Sequence, residues 1–139
     1  MTGVQTCALP IYLSEVYASE ALVPADPFEK AKMMSWLFWE QYSHEPAIAV
    51  LRFQRLYLKK PDSEIAPALV EKSEKALALM EGHLQARDYL VGSRLTLADI
   101  ALVAYTRFAA DAKLDLARWP HVKAWVGRIE SDLGLPHIG

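Results

Sequence analysis

An all-helical fold is predicted for this 139-residue chain, and three observations predict it. Stripes of residues recur at steps of three and four, as in Leu69, Ser73, Leu77, Met80 and Leu84, or Val122, Trp125 and Ile129. That spacing places each set on one face of a helix. Helix-start chemistry stands ahead of the periodic stretches, at Asp26-Pro27, Thr96-Leu-Ala-Asp99 and Trp119-Pro120. From Tyr12 onward no convincing strand pattern interrupts them. A content of 53% hydrophobic and 23% charged residues is rich enough to bury a core and argues against disorder. A net charge of −2 and a pI of about 6.1 exclude a strongly basic nucleic-acid footprint. The densest apolar run, Met33 to Trp39, is far too short to span a bilayer. No basic residue precedes Lys30, so no secretory signal is read, and the single cysteine, Cys7, cannot form an internal disulfide. A cytoplasmic setting is expected, with neither membrane nor nucleic acid as partner.

Taken in order, Tyr12 to Tyr17 reads as the end of a helix, and 21–25, with Pro24, as a short linker. Asp26 then serves as N-cap, Pro27 takes the first helical position and Glu29 faces the positive end of the helix dipole. In the helix that follows, Met33, Met34, Trp36, Leu37, Phe38 and Trp39 wrap more than one face. A surface helix needs only one apolar stripe, so two buried sides are expected. Pro46 predicts a kink or break near His44-Glu45-Pro46. Helical text resumes with Val50, Phe53 and Tyr57 on one stripe and Arg52, Arg55 and Lys59 on another, and Lys60-Pro61-Asp62 ends it. The next helix is predicted from about Ser63 or Glu64 to about Arg87, with Pro67 tolerated in its first turn. Asp88 to Leu95 is a connector, in which Gly92 suits a turn. Thr96 and Asp99 have the spacing of a capping box, flanked by Leu95 and Ile100 as a hydrophobic staple. The helix they open carries no charge but Asp99 as far as Tyr105, which predicts a central buried helix ending near Phe108 to Ala110. A turn at Leu114 to Arg118 leads to the last helix, which Gly134 and Pro136 stop.

Met1 to Ile11 has no helical or strand period. It resembles the translation of a common sequencing adapter at every one of its positions, and Tyr12 continues that frame. On this reading residues 1–11, Cys7 among them, stand outside the natural protein, and a part that preceded Tyr12 is missing.

Three landmarks resemble the C-terminal domain of the cytosolic glutathione S-transferases. Leu90-Val-Gly-Ser-Arg-Leu-Thr-Leu-Ala-Asp-Ile100 looks like that family's connector, capping box and core helix. Trp119-Pro-His-Val-Lys-Ala-Trp-Val-Gly-Arg-Ile129 looks like its late helix. Asp26-Pro27 with the aromatic stretch Trp36 to Tyr42 looks like its first C-domain helix. The resemblance implies a glutathione S-transferase C-terminal-like helical bundle over residues 21–139. It makes 12–20 a remnant of the last helix of a thioredoxin-like N-terminal domain. In the family that domain holds most of the glutathione site and the Ser, Cys or Tyr that activates the thiol. No catalytic residue is therefore expected in this chain. The implied function is the C-terminal part of a truncated transferase of detoxification, with glutathione as cosubstrate, a small apolar electrophile as substrate and a homodimer as assembly. The alternative is a non-catalytic helical interaction module of the same fold.

In that light Trp36, Trp39 and Tyr42 are candidates to stack on an apolar electrophile, against a reading as core or dimer packing. His44 and Glu45 are candidates to line a cleft mouth or meet a ligand's amine, against local capping and exposure. Arg52 and Arg55, with Lys59, are candidates to attract an anion such as a glutathione carboxylate, against a solvated face. Asp99 and Thr96 are assigned to capping. His44, His83, His121 and His137 are scattered without ligand spacing, so no metal is expected.

Overall fold

The structure, a computed structural model, describes residues 4–17 and 22–138, with side chains from Ala8 onward. The expected linker therefore begins outside the described residues. Among the described residues six α-helices carry the fold: α1 Val4–Tyr17, α2 Pro27–Trp39, α3 Glu45–Arg52, α4 Pro67–Leu84, α5 Leu97–Thr106 and α6 Pro120–Asp132. No strand occurs among the described residues.

α1 departs from the sequence reading. It runs as one helix through residues 4–11, where no helical period was read, and on through the helix end expected at Tyr12 to Tyr17, with Pro10 inside it. Leu9, Tyr12, Leu13, Val16 and Tyr17 are exposed, while Ser14 is buried and Ile11 packs against the core. An ion pair of Glu15 with Lys30 joins it to α2. The helix has no amphipathic stripe, which is why periodicity could not find it.

α2 begins as predicted, with Asp26 Oδ1 accepting from the Glu29 N–H at 2.8 Å. The kink or break expected near His44-Glu45-Pro46 takes the form of an interruption in the regular α-helix at which the chain stays helical. A π-helical turn, Glu40–His44, joins α2 to α3, and every cap residue around it keeps right-handed helical angles. The Glu45 N–H reaches back to the Glu40 carbonyl, the five-residue step of a π turn, and Pro46 falls in the first turn of α3. There the missing N–H costs little. A second π turn, Phe53–Tyr57, follows α3, and the chain leaves it through Lys59 at a φ of 51°.

α4 starts later and ends earlier than predicted, because residues 62–64 form a short 3-10 turn and Pro67 then opens the α-helix. α5 stops at Thr106, short of the expected end, and residues 109–112 tighten into a 3-10 turn that closes with Lys113 at a φ of 51°. Beyond α6, Gly134 takes a φ of 63°, and the Leu135 N–H donates to the Glu130 carbonyl at 2.8 Å, the Schellman ending that the glycine predicted.

α5 lies at the centre. It packs on α2, α3 and α6, while α4 packs on α3 and α6. Met33, Leu37, Ile48, Leu51, Leu77, Met80, Leu102, Trp125 and Ile129 form the core between them. α2 buries Met33 and Leu37 only. Its second apolar side, carrying Phe38 and continuing to Tyr42, is exposed rather than buried.

Candidate functional site

The most functional-looking concavity lies along α3. Glu45, Ala49, Phe53 and Tyr57 recur at steps of four, with Arg52 three after Ala49, so one helical face lines it, together with Val50 and with Tyr105 of α5. The volume is about 330 Å³, within the range of small-molecule sites. The core side of α3 is Ala47, Ile48 and Leu51. Val50, Phe53 and Tyr57, the stripe legible in the sequence, therefore face the groove and not the core. The Phe53 and Tyr57 rings stack with centroids 5.7 Å apart.

The charge arrangement has direction. Glu45 and Arg52 sit at opposite ends of α3, about 10 Å apart along its axis. Tyr105 lies between their fields. Burial first, then the Glu45 and Glu40 carboxylates, push its hydroxyl above its ordinary value, and Arg52 opposes them. The phenol therefore stays protonated at neutral pH. It makes no hydrogen bond among the described residues, so its O–H is available to a ligand. Glu40 is itself buried, and burial raises its carboxyl above the usual range, with a hydrogen bond from Gln41 opposing and the Glu45 charge reinforcing.

The arginines expected to act together are separated by their partners. Arg52 Nε donates to Asp111 Oδ2 at 2.8 Å, and its guanidinium lies 4.5 Å from the Phe108 ring centroid. Arg52 lines the groove; Arg55 does not. Arg55 donates to the Ala112 carbonyl and pairs with Asp62 at 3.3 Å, and its Nε is buried without a partner among the described residues. Arg55 thus lashes the turn at 109–112 to the helix and is not free for an anion. Lys59 is exposed at its left-handed turn position.

The aromatic candidates also divide. Trp36 and Trp39 are half-buried, pack against the core and meet edge to face at 5.2 Å. Trp36 also meets the His83 ring at 4.7 Å, and Trp39 the His44 ring at 5.7 Å. Neither lines the groove. Tyr42 is 84% exposed and lies outside it as well.

His44 is not at a cleft mouth; it is fully buried. The Thr106 hydroxyl donates to the Leu102 carbonyl at 2.8 Å, so toward His44 it accepts, from Nε2 at 2.9 Å. Nδ1 is left without a partner among the described residues. Burial holds the imidazole down to about 4, so the ring is neutral at physiological pH.

The capping box forms as predicted, and Asp99 does more than cap. One carboxylate oxygen accepts from the Thr96 N–H and hydroxyl, at 3.0 and 2.9 Å. The other accepts from the Leu90 N–H and the Trp125 indole N–H, each at 2.9 Å. The carboxylate is fully buried and fully used. No group of three His, Cys, Asp or Glu that could hold a metal occurs among the described residues, and none of their helices is long and apolar enough to cross a membrane.

The family profile described as "Glutathione S-transferase, C-terminal domain" matches residues 31–132. Among curated proteins, Glutathione S-transferase D6 of Drosophila melanogaster is 30% identical over 122 residues, which cover 87% of this chain and 55% of that protein. Among solved structures, a glutathione S-transferase from Pseudomonas fluorescens Pf-5 is 40% identical with a TM-score of 0.80, over 87% of this chain and 61% of that one. One from Xanthobacter autotrophicus Py2 is 38% identical with a TM-score of 0.81, over 93% of this chain and 61% of that one. The chain thus spans 55% to 61% of the length of these relatives.

Proposed function

Because the chain belongs to the glutathione S-transferase family through its C-terminal helical domain, we propose that it forms the electrophile-binding half of a glutathione-conjugating enzyme. The observation that carries this is the groove along α3, whose walls are apolar and aromatic, with Glu45 and Arg52 as its two charged residues. Phe53, Tyr57 and Val50 offer area to an aromatic or unsaturated electrophile. The protonated Tyr105 hydroxyl offers one directed donor to an oxygen on it. The cosubstrate is glutathione. Its thiol is activated by a side chain of the thioredoxin-like domain that the family carries ahead of this one, to which residues 12–20 are a remnant connection, and residues 1–11 are adapter-derived. In the reaction the thiolate sulfur forms a carbon–sulfur bond; from an aryl halide the halide leaves with the bonding pair, and on an unsaturated electrophile the π pair moves to the neighbouring carbon, which takes up a proton. This domain's contribution is to hold the electrophile at the thiolate and keep water away. The exposed side of α2 serves a homodimer contact, and the setting is cytoplasmic.

The test is the protein with its upstream reading frame restored, assayed with glutathione and a chlorinated nitroaromatic. Retention on immobilised glutathione and conjugation are expected. Phe53→Ala should raise KM for the electrophile severalfold and leave KM for glutathione unchanged. An upstream frame without a thioredoxin-like domain, or a restored protein that neither binds glutathione nor conjugates, would favour a non-catalytic interaction module instead.

A further inference from the structure

We infer that the groove selects electrophiles that carry a carboxylate, bound by Arg52 and oriented by Asp111; the inference rests on the groove being the electrophile site. Four observations on the same few residues carry it. Arg52 lines the groove, and its side chain is 20% exposed, so it is reachable from the cavity but mostly desolvated. Only its Nε is engaged, by Asp111 at 2.8 Å, and no hydrogen bond among the described residues uses its terminal nitrogens. The guanidinium is stacked at 4.5 Å over Phe108, which limits its rotation. Its neighbour Arg55, by contrast, is spent on Ala112 and Asp62. A guanidinium with one nitrogen fixed by an aspartate and its other N–H groups unengaged, on a residue that lines a cavity, is chemically suited to carboxylate.

The groove also carries charges of both signs, held apart along it. Glu45, about two helical turns from Arg52, repels an anion placed at its end. A rigid aromatic acid is therefore oriented with its carboxylate at Arg52 and its ring along Phe53 and Tyr57. A reactive carbon para to the carboxylate then lies toward Tyr57, away from Glu45. Asp111 acts as a positioning residue, since it touches Arg52 and not the ligand. A neutral electrophile of the same shape makes every apolar contact but not the charged one.

The test is equilibrium binding of two probes to the full 139-residue chain by calorimetry, with no thiol present: 4-chloro-3-nitrobenzoate and its methyl ester. The benzoate is expected to bind about tenfold tighter, with a preference that shrinks as salt is raised. Arg52→Gln should equalise the two by weakening the benzoate alone, and Arg52→Lys should restore part of the difference. Asp111→Ala should lower the preference while leaving ester affinity unchanged, an asymmetry that a general loosening of the fold would not give. If Arg52→Gln fails to fold, the wild-type pair and Asp111→Ala still decide the matter. Equal affinities in the wild-type chain, a preference that survives loss of Arg52, or no binding of either probe at millimolar concentration would overturn the inference. Failure here is distinct from failure of the transferase reading: the latter is judged by conjugation of a neutral electrophile in the restored protein, and a transferase indifferent to the carboxylate would still pass it.

Discussion

Asp99 binds three separate parts of the chain through one carboxylate: the connector at Leu90, the cap residue Thr96 and the indole of Trp125 on α6. Half of this was legible in the sequence, because a capping box is a pattern of residues three apart. The other half was not, since Trp125 lies 26 residues away and only packing brings it in. The difference changes the expected cost of substitution. Thr96→Ala removes one cap and should cost about 1 kcal/mol. Asp99→Ala leaves the Leu90 and Thr96 N–H groups and the Trp125 indole N–H unpaired in the core, and should cost about 3 to 5 kcal/mol. Urea denaturation of both variants checks the ranking, and equal costs would reduce Asp99 to a plain cap. His44 supplies the pH dependence at this scale. Its folded value of about 4 lies below the ordinary 6.5, so above pH 6.5 the ring is neutral in both states and contributes no slope. As pH falls below that, the unfolded chain takes a proton that the folded core refuses, and stability declines until about pH 4, by about 3 kcal/mol in all. His44→Gln should flatten this part of the stability curve between pH 7 and pH 4. A wild-type and variant pair with parallel curves would rule it out.

Helix ends and joints show where local pattern reading stops. Pro46 was visible, and the kink or break it predicts is met by a π turn that interrupts the regular α-helix and keeps the chain helical from α2 into α3. That outcome depends on what the turn buries, Glu40 and His44, which no local rule supplies. The start of α6 makes the same point. Pro120 was legible as a first-turn residue, but Trp119 offers no side-chain cap. The cap comes from α4: Glu81 accepts from the Val122 N–H and the His121 N–H, each at 3.0 Å, and meets the His121 ring as well. Burial alone would raise the Glu81 carboxyl, but these donors outweigh it and hold the group below the usual carboxylate range. Its contribution is therefore full above the ordinary carboxylate value and fades as pH falls through the lower folded value. Glu81→Ala should cost about 1 to 2 kcal/mol at neutral pH, with faster amide exchange at His121 and Val122. The stability gap from wild type should narrow in acid. Unchanged exchange at both amides would mean that α6 does not depend on α4 for its start.

For the whole molecule, core and surface were unequally legible. The stripes of α4 and α6 marked core residues because a 3.6-residue period is a statement about one buried face, and the described core holds Leu77, Met80, Leu84, Val122, Trp125 and Ile129. The stripe of α3 marked something else. Val50, Phe53 and Tyr57 are 38%, 51% and 61% exposed, and Phe38, Tyr42 and Leu56 are exposed as well. Periodicity reports that a face is covered, not by what. A monomer seldom leaves so many large apolar side chains in water. The chain spans 55% to 61% of its relatives' length. At tens of micromolar the 139-residue chain should therefore self-associate, and sedimentation velocity should give a species heavier than the 15.6 kDa monomer. A double change, Phe38→Ser with Tyr42→Ser, touches neither the core nor the groove and should shift the distribution toward monomer with no loss of helical signal. A chain that sediments as a monomer at every concentration would show that these apolar side chains are satisfied in water, and the proposed dimer contact on α2 would have to be given up.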